Sequence, residues 1–135
     1  MTPGYSGRSL AQKLGIKPGS SSFIAGAPAG YVELLDPLPR GVSFPKRISQ
    51  KVDIAQVFVT TKADLSRRLV SLKAALNPEA AIWVSWPKKS SKVATNVSDN
   101  TICAVALPLG LVDIKVCAVT DVWSGLKLVV RKQLR

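Results

Sequence analysis

The stretch "VDIAQVFVTTKADLSRRLVSLKAALNPEAAIWVSW", residues 52–86, decides the fold. It begins with an apolar run between Lys51 and the polar Thr60, a pattern typical of a buried strand. Four leucines then recur at offsets of four, three and four, which places them on one face of a helix: Leu65, Leu69, Leu72 and Leu76. Thr61 and Asp64 resemble a capping box at the start of this helix, the dipeptide "NP" ends it, and a second apolar run follows. This strand–helix–strand pattern predicts a parallel sheet with covering helices.

On the N-terminal side of this unit, "RSLAQKLG", residues 8–15, predicts a short leading helix. Ser9 is its expected cap, and Gly15 is its expected stop. Further along, "SSFIAGAP" predicts a first strand, "AGYVELLD" a helix, and "GVSF" a second strand after two prolines and a glycine.

On the C-terminal side, "SDNTICAVALPLG" has helical spacing, and "LVDIKVCAVTD" with "WSGLKLVVRK" predicts a closing antiparallel pair of strands. The predicted fold class is α/β: a Rossmann-like three-layer sandwich with a mostly parallel sheet and an antiparallel C-terminal hairpin. We expect one domain over residues 1–135. Either a second copy of the chain, in a homodimer, or the terminal charges would protect the exposed edge of the hairpin.

Composition sets the class of protein. The chain has 135 residues, of which 47% are apolar and 20% charged, as expected of one compact domain. No run approaches the ~20 apolar residues of a membrane span, and the first residues lack the apolar core of a secretory signal. We therefore expect a cytoplasmic protein without a membrane partner.

The net charge of +11 is the strongest compositional signal. A basic surface attracts phosphates and nucleic acids before any specific contact forms. One cluster without acidic neighbours is a candidate basic patch: Arg40, Lys46, Arg47 and Lys51. The alternative is that these are solvated loop charges that keep a small protein soluble.

The residue inventory excludes several chemistries. Without histidine the chain has no Ser-His-Asp triad, no Cys-His pair and no histidine metal site. Its eight acidic residues stand singly along the sequence, so no local carboxylate pair is present. Cys103 and Cys117 lie in apolar runs and are expected to be buried small hydrophobes. We predict no catalytic residue and no metal site.

The loop after the strand that contains Trp86 is the candidate ligand site. Lys88 and Lys89 would supply charge where the strand ends, and ligands of open α/β sheets bind at that end. Hydroxyl and amide groups follow at the start of the next helix, where the helix dipole favours an anion: Thr95, Asn96 and Ser98. The alternative is that Ser98 only caps the helix and that the lysines form a solvated strand end.

The two tryptophans of this strand have different expected roles. Trp83 and Trp86 lie an odd number of positions apart, so a regular strand directs them to opposite faces of the sheet. Trp83 is expected in the core. Trp86 either stacks on a base or sugar ring of a ligand or is packed half-buried against the protein.

Several segments, among them "VFVTTKADL", "WVSWPKK" and "WSGLK", resemble a family of small bacterial proteins known only as a domain of unknown function. More distantly, the chain is similar to class I S-adenosylmethionine-dependent methyltransferases. That resemblance implies a glycine-rich turn after the first strand, here with Gly26 and Gly30, and an acid after each of the first two strands. Neither acid is present, and Lys46 and Arg47 follow the second expected strand.

Three functions remain open. The first is a non-catalytic methyltransferase-like domain that binds an anionic or nucleotide-type ligand, or a protein partner, at the strand ends. The second is a divergent methyltransferase; the missing acids count against S-adenosylmethionine as cofactor. The third is a nucleic-acid-binding protein driven by its basic charge, for which the chain lacks interleaved basic and aromatic residues.

Overall fold

The structure, a computed structural model, describes residues 8–134. Five strands form one sheet in the order β1-β2-β3-β5-β4. The strands are β1 (Ser22–Ala25), β2 (Ile54–Phe58), β3 (Ala81–Pro87), β4 (Leu111–Ala118) and β5 (Trp123–Val130). The α-helices are α1 (Leu10–Leu14), α2 (Lys62–Ala75) and α3 (Asp99–Ala106).

The sheet has the predicted mixed topology. β1, β2 and β3 are parallel neighbours, with Ser22 opposite Ile54 and Ile54 opposite Ala81. β5 lies between β3 and β4 and runs antiparallel to both. The predicted α/β fold, with a mostly parallel sheet and an antiparallel C-terminal hairpin, is confirmed.

α2 and α3 cover one face of the sheet. Leu65, Leu69 and Leu72 of α2 are at most 1% exposed, which confirms the predicted apolar face of this helix. They belong to a core cluster with Val57 of β2 and Val84 of β3. This core contains the alternate residues of each strand that face α2 and α3.

α1 and a 3-10 turn, Val32–Leu35, cover the other face. Trp83 is directed to this side and is 1% exposed, and its indole Nε1 donates to the Leu14 carbonyl at 2.9 Å. Trp86 is packed half-buried against the opposite core. The two tryptophans therefore face opposite sides of the sheet, as predicted.

Two predicted elements differ from the structure. The predicted strand "GVSF" is reduced to one isolated bridge, between Ser43 and Ser21. Gly41 with φ +77° precedes the bridge and Pro45, which lacks a backbone donor, follows it, so a ladder cannot extend. The predicted helix "AGYVELLD" is only the 3-10 turn, because Gly30 and Pro37 bound a segment too short for a stable helix.

The helix caps follow the predicted sequence signals. Ser9 forms a capping box with Gln12 at the start of α1, and Gly15 ends that helix with φ +82°. Thr61 caps α2 by accepting from the Asp64 backbone N–H at 3.1 Å. Within residues 8–134, no helix is long and apolar enough to cross a membrane.

Candidate ligand site at the carboxyl ends of the strands

The carboxyl ends of β1, β2, β3 and β4 lie at one end of the sheet, together with the β4–β5 turn. Ligands of open α/β sheets bind at such an end. The candidate residues of the sequence lie on the loops that leave these strands, so the structure brings several of them to this end.

Thr95 and Asn96 hold the segment after β3 across the end of β2. The Thr95 hydroxyl donates to the Thr60 carbonyl at 2.7 Å, and the Asn96 backbone N–H donates to the same carbonyl at 3.2 Å. The Asn96 side-chain oxygen accepts from the N–H of Lys62, the first residue of α2, at 2.7 Å. These polar atoms therefore already satisfy backbone groups at the strand end and at the helix start.

Ser98 is the N-cap of α3. Its hydroxyl oxygen accepts from the Thr101 backbone N–H at 3.2 Å, and Asp99 adds a negative charge to the first turn. The cap and this carboxylate stabilise the positive end of the helix dipole. That Thr95, Asn96 and Ser98 contact a ligand stays a prediction.

Lys88 and Lys89 stand directly after β3. The Lys88 N–H donates to the Val122 carbonyl at 2.8 Å, which ties the loop to the β4–β5 turn. The Lys88 side chain is half-buried, whereas Lys89 is exposed. The ion pairs found among residues 8–134 join Asp64 of α2 to Arg67 and Arg68 of the same helix. Within these residues, no carboxylate therefore lies at ion-pair distance from Lys88 or Lys89.

The two candidate glycines differ in what their positions require. Gly26 has φ +74°, and a Cβ there would lie 2.6 Å from the Phe58 carbonyl oxygen, so only glycine fits between the ends of β1 and β2. Gly30 has φ +81°, but a Cβ there would meet open space. Gly26 therefore allows close packing of two strands, and Gly30 allows a turn.

Aromatic rings pack together on the α1 side of the sheet, next to these strand ends. Tyr31 and Phe58 pack edge to face with centroids 4.7 Å apart, and Phe58 and Trp123 do so at 5.2 Å. The Tyr31 hydroxyl donates to the side-chain oxygen of Gln56, whose amide donates to Ser22 at 2.9 Å. Burial raises the pKa of Tyr31, and the nearby Cys117 raises it further, so the phenol stays protonated.

The two cysteines are free thiols, half-buried on opposite faces of the sheet. Burial raises the pKa of both Cys103 and Cys117. Because the thiolate is the reactive form, neither residue has the environment of a nucleophile.

A cavity of about 360 Å³ opens at the same end of the sheet. It lies between α1, the 3-10 turn and the β4–β5 turn, and two cations and two carboxylates line it: Arg8, Lys13, Asp36 and Asp121. Sequence reasoning missed it because these residues come from separate segments and match no motif. Among the described residues, no group of three or more potential metal ligands is close enough to hold a metal ion.

The four residues of the predicted basic patch are all exposed: Arg40, Lys46, Arg47 and Lys51. They lie on the segment beside β1 that contains the Ser43 bridge. The Arg40 carbonyl accepts from Gly19 before β1, whereas Lys46 and Arg47 follow the bridge. The patch is therefore spread along this segment rather than gathered around one point.

The family described as "Protein of unknown function (DUF3052)" matches residues 47–132, so the chain belongs to this family. No curated protein sequence matches the chain.

Solved structures share the fold at low sequence identity. A putative type 11 methyltransferase from Sulfolobus solfataricus is 12% identical, with a TM-score of 0.64 over 91% of this chain and 90% of that chain. A SAM dependent methyltransferase from Aquifex aeolicus is 13% identical, with a TM-score of 0.63 over 90% and 88%. Ribosomal protein L11 methylase from Lactobacillus delbrueckii is 12% identical, with a TM-score of 0.59 over 90% and 75%. The fold is that of class I S-adenosylmethionine-dependent methyltransferases.

Proposed function

We propose that this member of the DUF3052 family is a methyltransferase-fold binding domain that takes a nucleotide-type anion at the carboxyl ends of its strands and transfers no methyl group. The observation that carries the proposal is the pair Lys88 and Lys89, two adjacent cations at a strand end without a carboxylate at ion-pair distance among the described residues. An anion at this end would neutralise them.

The chain around β1 supports binding without catalysis. β1 ends at Ala25 and continues into Gly26 without an acid, and Lys46 and Arg47 follow the Ser43 bridge. In the enzymes that the chain resembles, acids at these two places hold the cofactor. Without those carboxylates, the ribose hydroxyl groups of S-adenosylmethionine lose their hydrogen-bond acceptors.

A divergent methyltransferase is the second candidate. The cavity of about 360 Å³ supports it, because Asp36 and Asp121 supply carboxylates at the ligand-binding end of the fold. Its volume lies within the ~300–1,000 Å³ of small-molecule sites. Methyl transfer depends mostly on proximity and orientation, so the absence of histidine does not exclude it.

Thermal unfolding with ATP and with S-adenosylhomocysteine, in parallel, separates the two candidates. A ligand at about 100 times its Kd stabilises the native state by about 2.7 kcal/mol, which raises the Tm of a domain this size by several degrees. We expect a shift with ATP alone. A shift with S-adenosylhomocysteine would favour methyl transfer, and no shift with either would contradict both candidates.

Two double variants test whether Lys88 and Lys89 bind the anion. Lys88→Ala with Lys89→Ala removes two charges at the strand ends, and Lys46→Ala with Arg47→Ala removes two beside β1. Both lower the net charge equally, so general electrostatic attraction weakens similarly in each. We expect the first to weaken ATP binding at least about tenfold, because hydrogen bonds to charged groups contribute about 1.5–3 kcal/mol. Equal losses would assign the binding to net charge instead.

A further inference from the structure

A small cavity of about 120 Å³ lies on the α2 side of the sheet, where β1 forms the sheet edge. Phe23 of β1, Val57 of β2 and Leu72 of α2 are buried and form its apolar wall. Ile48, which is half-buried, closes it from the segment beside β1. Arg68 stands one turn before Leu72 on the same helix face, so a guanidinium group lies beside this apolar wall.

Arg68 lacks a hydrogen-bond partner for its buried nitrogen. Its Nε is shielded from solvent, and within residues 8–134 no acceptor bonds to it. Asp64 lies one turn earlier on α2, but its Oδ1 accepts from Arg67 and is 3.8 Å from the Arg68 Nε, too far for a hydrogen bond. A buried donor without an acceptor destabilises the native state, so this position favours an acceptor that the described chain does not supply.

The charges around the cavity favour an anion as that acceptor. Arg67 and Arg68 carry two positive charges, and the Asp64 carboxylate offsets one of them. The segment that closes the cavity also contains Lys46 and Arg47, both exposed. A guanidinium binds a carboxylate or a phosphate through paired hydrogen bonds.

The size and the wall of the cavity decide between these two anions. An apolar cavity of about 150 Å³ holds one benzene molecule, so about 120 Å³ suits a branched alkyl group of about four carbons. A nucleotide does not fit in this volume. Phosphate alone would leave the contacts of Phe23, Val57 and Leu72 unused, whereas a carboxylate with an alkyl group uses both parts of the cavity.

We propose that this cavity binds a short, branched aliphatic carboxylate. The alkyl group lies against the apolar wall, where its burial removes apolar area from water. The carboxylate supplies the acceptor that the Arg68 guanidinium lacks. The site lies under α2 rather than on the loops after the strands, so it is separate from Lys88 and Lys89 and goes beyond the proposed function.

A heteronuclear NMR titration with isovalerate tests the proposal. We expect saturable shifts of the Arg68 Nε–H signal and of the backbone signals of Ile48 and Leu72. Acetate has the charge without the branched alkyl group, and isoamyl alcohol has the alkyl group without the charge. Each should therefore bind at least about tenfold more weakly than isovalerate.

Two matched variants separate the cavity from net charge. Arg68→Gln removes the guanidinium, and Arg40→Gln lowers the net charge equally at an exposed position that does not line the cavity. We expect Arg68→Gln to weaken isovalerate binding at least about tenfold and Arg40→Gln to leave it unchanged. Ile48→Trp, on a loop, should also weaken binding because the larger side chain occupies the cavity, and it is the second variant should Arg68→Gln fail to fold.

The proposal is overturned if the wild-type protein shows no saturable shift with isovalerate, or if acetate or isoamyl alcohol binds as tightly. It is also overturned if Arg68→Gln and Ile48→Trp both bind isovalerate unchanged. Equal losses in Arg68→Gln and Arg40→Gln would have the same consequence, since net charge alone would then explain the binding.

Discussion

The two faces of the sheet are built on different principles. Toward α2 and α3 the buried side chains form an apolar cluster, whereas toward α1 the interior also contains Gln56, Tyr31 and the indole N–H of Trp83, each with a hydrogen-bond partner. A cavity of about 420 Å³, which Lys17 and Lys127 line, also lies on this second side. The comparison indicates that apolar packing alone maintains one face, whereas the other face adds buried polar groups that hydrogen-bond one another and the backbone.

Helix length explains the difference. α2 presents nearly four turns of side chains to the sheet and covers it with leucines. α1 has only five residues, and a 3-10 turn covers much of what remains. Such short elements bury little apolar area, so side-chain hydrogen bonds fix their position instead.

The largest effect should come from the apolar face. Leu69→Ala removes a fully buried side chain between α2 and the sheet, and we expect a loss of about 3 kcal/mol in the free energy of unfolding, since buried Leu→Ala changes cost about 2–5 kcal/mol. Val70→Ala on the same helix is the control: Val70 is 54% exposed, so its change should stay within about 0.5 kcal/mol. Urea unfolding measures both. Equal losses would mean that this face does not maintain the fold.

On the α1 side, Tyr31→Phe should have an intermediate effect. It leaves the ring in place but deprives the buried side-chain oxygen of Gln56 of its donor, which costs about 1–3 kcal/mol. Ser91→Ala is the control, because Ser91 donates to the Lys88 carbonyl at a half-exposed site where water replaces it. A Tyr31→Phe loss no larger than the control's, measured by urea unfolding, would show that the polar chain adds nothing to stability.

Sequence patterns predicted the α2 side of the fold well. The leucine spacing, the apolar runs and the cap at Thr61 all act locally, so the residues themselves carry the information. The predictions of a strand at Ser43 and of a helix before Asp36 were wrong. The apolar residues of these two segments suggest regular structure, but glycine and proline at their borders keep each element short. Tertiary contacts, such as Tyr31 with Gln56, then decide its path.

The candidate site was predictable only in its position. The rule that ligands bind at the carboxyl ends of parallel strands led to Lys88 and Lys89, which the structure places there. It did not reveal that Thr95 and Asn96 are engaged with the start of α2, nor that Lys17 and Lys127 share a cavity. Such contacts join residues far apart in sequence, and no local pattern encodes them.

The smallest effect, and the one most specific to the polar side, concerns Lys127 and pH. At pH 7 Lys127 is charged in both states, and only the native state holds it near Lys115 and Lys17, so Lys127→Met should raise the free energy of unfolding by about 0.5 kcal/mol. Because its native pKa is lowered from 10.5, the native state loses this proton first as pH rises, and the wild-type protein recovers stability toward pH 10.5.

The advantage of Lys127→Met should therefore shrink between pH 7 and pH 10.5. Tyr31 and Cys117, whose raised pKa values act in the opposite direction, are common to both proteins, so their contributions cancel in the difference. Lys46→Met, at an exposed site, should differ from the wild type by less than about 0.5 kcal/mol at either pH. Urea unfolding at the two pH values measures the change. A gain that is the same at both would arise from methionine packing alone, and the lysine repulsion would then be absent.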